Sequence, residues 1–152
     1  QFVWAGDFAF KGISEGRKEI MEHMDDLPNN VHFLGLVERN QMNEFFNMGD
    51  VMLQLSFEEL FPMTILESMN ANIPLLLRDL PEYKPILFDY YLKGTSQLTF
   101  KEQLTKLKED PEYYAMACEG SKRGEQYYSK ESILHQWQQF YDKVATERNL
   151  KS

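Results

Sequence analysis

The chain has 152 residues, a net charge of −8 and a single cysteine, Cys118. A chain of this length is expected to form one domain with a buried core, and its acidic charge argues against nonspecific binding to nucleic acid. A single cysteine excludes an internal disulfide and is typical of a reducing compartment such as the cytoplasm. No run reaches the roughly 20 apolar residues of a transmembrane helix, so we expect a soluble protein.

The first half of the chain alternates short apolar runs with segments of helical spacing. Strands that are buried on both faces consist of unbroken apolar residues, as "IPLLL" does. The sequence therefore predicts an α/β fold, a Rossmann-like parallel sheet with helices on both faces, followed after Pro85 by a helical C-terminal tail. The predicted strands are residues 2–5, 31–37, 50–55 and 73–77, and the predicted helices between them are residues 14–24, 40–48 and 63–71.

Two carboxylates flank a predicted helix start in the segment "SFEELFPMTILESM". Open parallel sheets bind ligands at the carboxyl ends of their strands, which places residues 56–64, Gly6 and Gly35 on one rim. Glu59 lies in the loop and Glu67 in the helix. Carboxylates accept hydrogen bonds from vicinal sugar hydroxyls, and the N–H groups of a helix start bind phosphate. Together they predict a nucleotide-sugar site.

Two other interpretations fit the same residues. Thr64 and Glu67 have the T-x-x-E spacing of a capping box, in which case Glu67 would bond its own helix start and Glu59 would lie in a solvated loop. The strand and helix rhythm also fits a flavodoxin-like binding or signalling module. Such a module would need a clustered acidic pocket or a glycine-rich phosphate loop.

The motif S-x-x-E-x-F-x-M-x-x-L-E-x-M-x-A-x-x-P, residues 56–74, resembles the E-x7-E signature of the retaining family-four, or group 1, glycosyltransferases, which have the two-domain GT-B fold. "NVHFLGLV" and "MGDVMLQLS" precede it in the family's order, and the resemblance covers about residues 2–92. "ELFPMTILESM", then "PLLLRDLPEYKPIL" and "YYLKG", is more similar still to the bacterial branch that adds a hexose to glucosyl-diacylglycerol, the anchor of lipoteichoic acid. The resemblance implies that residues 1–152 are one nucleotide-sugar-binding domain, the C-terminal half of a longer enzyme whose N-terminal acceptor domain is absent.

The resemblance also implies a role for each residue of the rim. Glu59 would be the catalytic-site residue that holds hydroxyls of the donor hexose, and Glu67 would hold the ribose hydroxyls. Further contacts to the nucleotide-sugar would come from Phe61, Pro62, Met63 and Thr64, from Gly35, Leu36 and Val37 around the base, and from Gly6, where the backbone approaches the ligand.

In this family no metal and no cofactor take part, and a nucleotide-sugar, here UDP-glucose or UDP-galactose, is the substrate. His23, His32 and His135 are scattered along the chain without the spacing of metal ligands. The arginine and lysine that neutralise the diphosphate would lie upstream, so we expect the isolated chain to be inactive. The whole enzyme would be cytoplasmic, peripheral to the inner face of the cell membrane, and would bind its glycolipid acceptor mainly through the missing domain. A glycosyltransferase of capsule or wall polysaccharide is the alternative within the class.

Two further features have more than one interpretation. Trp137, Phe140 and Tyr141 recur at helical spacing in the tail, which favours packing in a core over contact with a membrane. Arg78 and Asp79 follow the fourth predicted strand and match an "RD" of the glycolipid branch. They fit a role in donor binding or domain closure, and equally a surface ion pair.

Overall fold

A computed structural model describes residues 1–7, 17–24 and 26–149 of the chain. Residues 14–16, the predicted beginning of the first helix, lie outside this description. The chain divides into two compact units, Gln1–Met42 and Asn43–Ser152. Parallel strand pairs form the sheet of each unit, so the predicted parallel α/β character is confirmed.

The first unit is built on two parallel strands, β1 (Phe2–Ala5) and β2 (Val31–Gly35). The rings of Trp4 and Phe33, which are register partners, lie 4.8 Å apart between their centroids. Strand β2 ends at Gly35, two residues earlier than predicted, because the φ of +68° at Gly35 lies outside the extended region and turns the chain away from the strand direction. Helix α1 (Arg17–Met24) and a short 3-10 helix (Arg39–Gln41) complete the described part of this unit.

The second unit contains a three-stranded parallel sheet in the order β3-β4-β5. The middle strand, β4, provides Leu75, Leu76 and Leu77, which are at most 1% exposed. Burying each such side chain contributes about 1.5–3 kcal/mol, so this strand is the centre of the core. The elements are α2 (Met42–Asn47), β3 (Met52–Gln54), α3 (Met63–Asn70), β4 (Leu75–Arg78), a 3-10 helix (Pro81–Tyr83), α4 (Lys84–Leu87) and β5 (Leu92–Gly94).

The predicted helical tail is confirmed from Gln97 onward as three helices, α5 (Gln97–Glu109), α6 (Pro111–Tyr127) and α7 (Lys130–Asn149). Strand β5 also lies after Pro85, and the sequence did not predict it. Side chains bond the free N–H groups where each of them begins. Ser96 and Thr99 form a reciprocal capping box on α5, and Asp110 accepts hydrogen bonds from the first turn of α6. The Ser129 hydroxyl accepts a bond of 3.2 Å from an N–H in the first turn of α7. Local sequence therefore determines all three starts.

The predicted apolar stripe of α7 is exposed in the described structure, and its three aromatic rings contact one another. Its packing partner, if the stripe has one, is not among the described residues, so the choice between packing and membrane contact stays a prediction. The Trp137 and Tyr141 rings stack with centroids 5.8 Å apart. The exposed fractions are 64% for Leu134, 53% for Trp137, 54% for Phe140, 63% for Tyr141 and 41% for Val144.

Candidate functional site

Helix α3 begins without a side-chain cap. Its N-cap residue is Pro62, in an extended conformation, and no side chain in the described part of the chain caps the N–H groups of the first turn. The capping-box interpretation is therefore wrong, because the helix begins at Met63 and Thr64 already lies inside it. Uncapped N–H groups and the partial positive charge of a helix start attract anions. Met63 and Thr64 are the first residues to offer such groups, as predicted from the sequence.

The two carboxylates of the motif have different surroundings. Glu67 lies one turn into α3 and is exposed, with no hydrogen bond or ion pair of its carboxylate among the described residues. Glu59 is half-buried, and its Oε1 accepts a hydrogen bond of 2.7 Å from Nε2 of Gln54. Glu67 is thus open to a ligand, whereas Glu59 is held in one orientation before any ligand arrives.

A buried tyrosine lies close enough to Glu59 to sense its charge. Tyr83 has no exposed surface, and its hydroxyl has no hydrogen-bond partner within the described part of the chain. Burial raises the pKa of Tyr83 to about 12, and the negative charges of Glu59 and Glu82 add to the effect. Tyr83 therefore stays protonated and neutral at physiological pH.

Arg78 and Asp79 do not pair with each other in the described structure, although they are neighbours in sequence. The Asp79 carboxylate lies 3.6 Å from Nζ of Lys93 and accepts a hydrogen bond of 3.3 Å from the Tyr91 hydroxyl. The Arg78 side chain instead turns to the loop that carries Glu59. These two residues therefore act on different neighbours.

The Arg78 side chain contacts the first residues of that loop. Its Nε donates a hydrogen bond of 2.9 Å to the carbonyl oxygen of Leu55, and its guanidinium carbon lies 3.9 Å from the centroid of the Phe57 ring. A planar guanidinium stacks on an aromatic face and donates in its own plane at the same time. Residues 55–59, which we call the acidic loop, are thus bonded by Gln54 of β3 and by Arg78 of β4.

The surface around the acidic loop is apolar and open. Phe57, Leu60 and Met63 are 78%, 91% and 64% exposed. Phe61 turns the other way: it packs against the core, and its ring lies 5.5 Å from that of Tyr128. Of the predicted contact residues, Phe61 therefore anchors the loop, while Pro62 and Met63 lie at the rim beside it.

In the first unit the structure brings Gly6 and Gly35 together at the carboxyl ends of β1 and β2. The N–H of Gly6 donates a hydrogen bond of 2.7 Å to the carbonyl oxygen of Gly35. Both have positive φ, +148° and +68°, which favours glycine. Leu36, next along the chain, is 78% exposed, and Val37 is half-buried. These predicted residues thus form a cluster of their own within this unit.

Sequence reasoning missed Gln54 altogether. The only signal was one polar residue in an otherwise apolar strand, "DVMLQLS", at the strand end where ligands of parallel sheets bind. In the described ranges no group of three or more His, Cys, Asp or Glu side chains could hold a metal ion. None of the helices that the structure describes is long and apolar enough to cross a membrane.

Residues 6–123 match the protein family described as "Glycosyl transferases group 1". The chain belongs to this family. Its first unit and most of its second therefore belong to a group 1 glycosyltransferase domain, and the flavodoxin-like alternative is wrong.

Two curated relatives are named for glycolipid synthesis. Over 144 residues, 95% of its length, this chain is 36% identical to the alpha-galactosylglucosyldiacylglycerol synthase of Streptococcus pneumoniae (strain ATCC BAA-255 / R6). Over 108 residues, 70% of its length, it is 28% identical to the processive diacylglycerol alpha-glucosyltransferase of Acholeplasma laidlawii. The chain spans 38% and 32% of the lengths of these relatives.

Solved structures share the fold at low sequence identity. Anabaena HepE in complex with UDP-glucose has a TM-score of 0.71 at 17% identity, over 95% of this chain and 40% of that one. Sucrose-phosphate synthase from Thermosynechococcus elongatus has a TM-score of 0.70 at 17% identity, over 95% and 38% of the two chains. The predicted GT-B type of α/β fold is confirmed by these matches.

Proposed function

We propose that this glycosyltransferase chain is the C-terminal, donor-binding domain of a longer enzyme that transfers a hexose from a UDP-hexose to a glycolipid such as glucosyl-diacylglycerol. The observation that carries the proposal is the uncapped start of α3 between a half-buried Glu59 and an exposed Glu67. The names of the two curated relatives support a glycolipid acceptor. The UDP-glucose complex of HepE supports a UDP-hexose donor, UDP-glucose or UDP-galactose.

The two carboxylates bind different parts of the donor. Glu67 accepts hydrogen bonds from the ribose hydroxyls, because its exposed carboxylate has no competing partner among the described residues. Glu59 is the catalytic residue that holds hydroxyls of the hexose, and its fixed orientation favours one arrangement of them. A diphosphate between the two sugars then lies at the start of α3.

The start of α3 supplies the electrostatic part of the reaction. Negative charge grows on the diphosphate as the bond to the hexose breaks, and backbone N–H groups of Met63 and Thr64 stabilise that charge. Pro62 is the extended residue that precedes α3, and it has no N–H to donate. The bond between the anomeric carbon and the diphosphate then breaks, an acceptor hydroxyl bonds to the same face of that carbon, and its proton passes to the departing diphosphate. The product therefore retains the anomeric configuration of the donor, and the transfer needs no cofactor or metal.

The first unit holds the base. Gly35, Leu36 and Val37 follow β2 and contact the uracil through the main chain, and Gly6 lets the backbone approach the ligand closely. The positive φ values of Gly6 and Gly35, which a side chain would strain, support this role.

Exposed apolar surfaces support a second domain in the whole enzyme. The face of α7 around Trp137 and the rim around Leu60 are apolar and open, and the chain spans 38% of its streptococcal relative. An N-terminal acceptor domain would cover such surfaces, supply the cations that neutralise the diphosphate and bind the glycolipid. The enzyme would then work at the cytoplasmic face of the membrane as a peripheral protein.

The proposal is tested by calorimetric titration of the full-length protein with UDP, UDP-glucose, UDP-galactose and GDP-mannose. We expect a UDP-sugar to bind, Glu67→Gln to weaken UDP itself, and Glu59→Gln to leave UDP affinity unchanged while turnover falls. Loss of one hydrogen bond between a carboxylate and a hydroxyl predicts about a 10-fold effect in each case. Glu58→Gln is the matched control, because Glu58 is an exposed carboxylate next to Glu59.

The acceptor and stereochemistry need a second assay. Glucosyl-diacylglycerol in mixed micelles and a capsule or wall polysaccharide primer are offered with the donor that binds, and the product is read by NMR. A glycolipid product of retained configuration supports the proposal, and transfer only to the polysaccharide primer favours the alternative acceptor. A folded full-length protein that binds none of the four nucleotides at millimolar concentration would refute donor binding. The 152-residue chain alone is expected to give no product.

A further inference from the structure

Gln54 uses both protons of its side-chain amide on the segment that contains Glu59. Its Nε2 lies 2.8 Å from Oγ of Ser56 and 2.7 Å from Oε1 of Glu59. An amide nitrogen has two protons to donate, so these two bonds use all of its donor capacity. The carboxylate of Glu59 is therefore fixed through one oxygen, and its other oxygen has no hydrogen bond among the described residues.

The backbone of Gln54 is a rigid base for this contact. Gln54 is the last residue of β3 and pairs in register with Leu77 of β4, which is fully buried. Sites built on strands hold side chains more precisely than sites built on loops alone. Arg78, the last residue of β4, bonds the carbonyl of Leu55 at the start of the acidic loop. Two adjacent strand ends thus hold this loop.

The chemistry of an amide suits this position. A lysine here would neutralise Glu59, and a second carboxylate would repel it, whereas a neutral amide orients the carboxylate and leaves its charge for the ligand. The neighbouring Tyr83 hydroxyl is buried and has no partner in the described structure, so nothing described competes with Gln54 for that oxygen.

We infer that Gln54 is a positioning residue, which orients the Glu59 carboxylate so that its free oxygen binds a hydroxyl of the donor hexose. This inference rests on the proposed function. It predicts that Gln54 matters for the sugar of the donor and not for the nucleotide, because its hydrogen bonds go to Ser56 and Glu59 and none reaches α3.

The first test replaces the amide by an apolar side chain of similar length in the full-length protein. Gln54→Met is expected to bind UDP within about 2-fold of wild type, while kcat/KM for the UDP-hexose falls by up to about 10-fold, the loss expected for Glu59→Gln, because Gln54 acts through Glu59. Gln103→Met is the matched control. Gln103 is also half-buried and accepts a hydrogen bond, from Tyr113, but lies on α5 outside the acidic loop.

The second test distinguishes positioning from simple packing through the pH profile. In Gln54→Glu two carboxyl groups would lie within hydrogen-bonding distance, and such a pair holds a shared proton as the pH falls. The protonated form can donate to Glu59 as the amide does. We therefore expect the ratio of the Gln54→Glu to the wild-type rate to rise as the pH falls from about 8 to about 5, while the ratio for Gln54→Met stays flat.

The outcomes separate this inference from the proposed function. If the wild-type protein binds and transfers a hexose but Gln54→Met has the wild-type kcat/KM, Gln54 does not position Glu59 and the transferase proposal stands. If the wild type binds no UDP-hexose, the proposed function itself fails. Should Gln54→Met lose its circular dichroism signal, the pH profile of Gln54→Glu decides, and a flat ratio there overturns the inference.

Discussion

Ser121 and Ser68 are both fully buried serines, yet their replacement by alanine is expected to have different consequences. The Ser121 hydroxyl, on α6, donates a hydrogen bond of 2.7 Å to the carbonyl oxygen of Ile73, which precedes β4. The Ser68 hydroxyl donates a bond of equal length to the carbonyl of Thr64, four residues earlier in its own helix. The first bond joins two elements, and the second adds to a helical hydrogen bond that is already present.

The expected loss of stability depends on whether the carbonyl oxygen keeps another hydrogen-bond donor. Ser121→Ala leaves the buried Ile73 carbonyl without this donor, which costs about 1–3 kcal/mol, and the better helix propensity of alanine returns about 0.5 kcal/mol. We therefore expect a net loss of about 0.5–2.5 kcal/mol. In Ser68→Ala the Thr64 carbonyl retains its backbone N–H partner, so stability is expected to change by less than about 0.5 kcal/mol.

Urea unfolding followed by circular dichroism measures both variants against the wild type. Equal slopes of the free energy against urea would show that the two variants unfold to the same extent, so that their midpoints can be compared. The reasoning is refuted if Ser68→Ala is destabilised as much as Ser121→Ala, or if Ser121→Ala unfolds at the wild-type midpoint.

Three other predictions concern the same unit. Arg78→Lys keeps the charge but loses the flat guanidinium, so KM for the UDP-hexose is expected to rise about 5-fold with an unchanged urea midpoint; an unchanged KM would contradict this. In Gly94→Ala the new methyl group would overlap the ring of Phe100, so thermal unfolding should show a loss of stability of about 1–3 kcal/mol. An unaltered Tm would contradict this. Burial raises the pKa of Tyr83 and Tyr91 to about 12. The folded state therefore keeps protons that the unfolded state releases, so the free energy of unfolding, measured by urea titration, should fall between about pH 10 and about pH 12. Tyr83→Phe should reduce that slope, and an equal slope in the variant would contradict the cause.

Where local chemistry determines an element, the sequence predicted it well. Strand β1 has the predicted bounds, and the predicted helix at residues 63–71 forms as Met63–Asn70. The predicted strand ends were less accurate, because apolar residues continue past the last hydrogen-bonded pair. The strand predicted for residues 50–55 forms only as Met52–Gln54, because its pairing with β4 extends only from Leu75 to Leu77.

Features that depend on distant partners could not be read from the sequence. The spacing of Trp137 and its neighbours correctly indicated an amphipathic helix, but periodicity does not say whether another element covers the apolar face. The neighbours Arg78 and Asp79 look like one ion pair in sequence, yet each turns to a residue far along the chain. The contact of Gln54 with Glu59 joins a strand end to a loop, and local propensity carries no information about such a bond.

The division of the chain into two units also divides its two tryptophans. Trp4 lies in the first unit beside Phe33, and Trp137 lies in the second, stacked on Tyr141. Both indoles are about half exposed, at 49% and 53%, so their fluorescence responds to changes at the surface. With Trp4→Phe and Trp137→Phe as a pair, each unit has its own optical reporter. A ligand or a partner domain that shifts the emission of one variant and not the other would reveal which unit it meets.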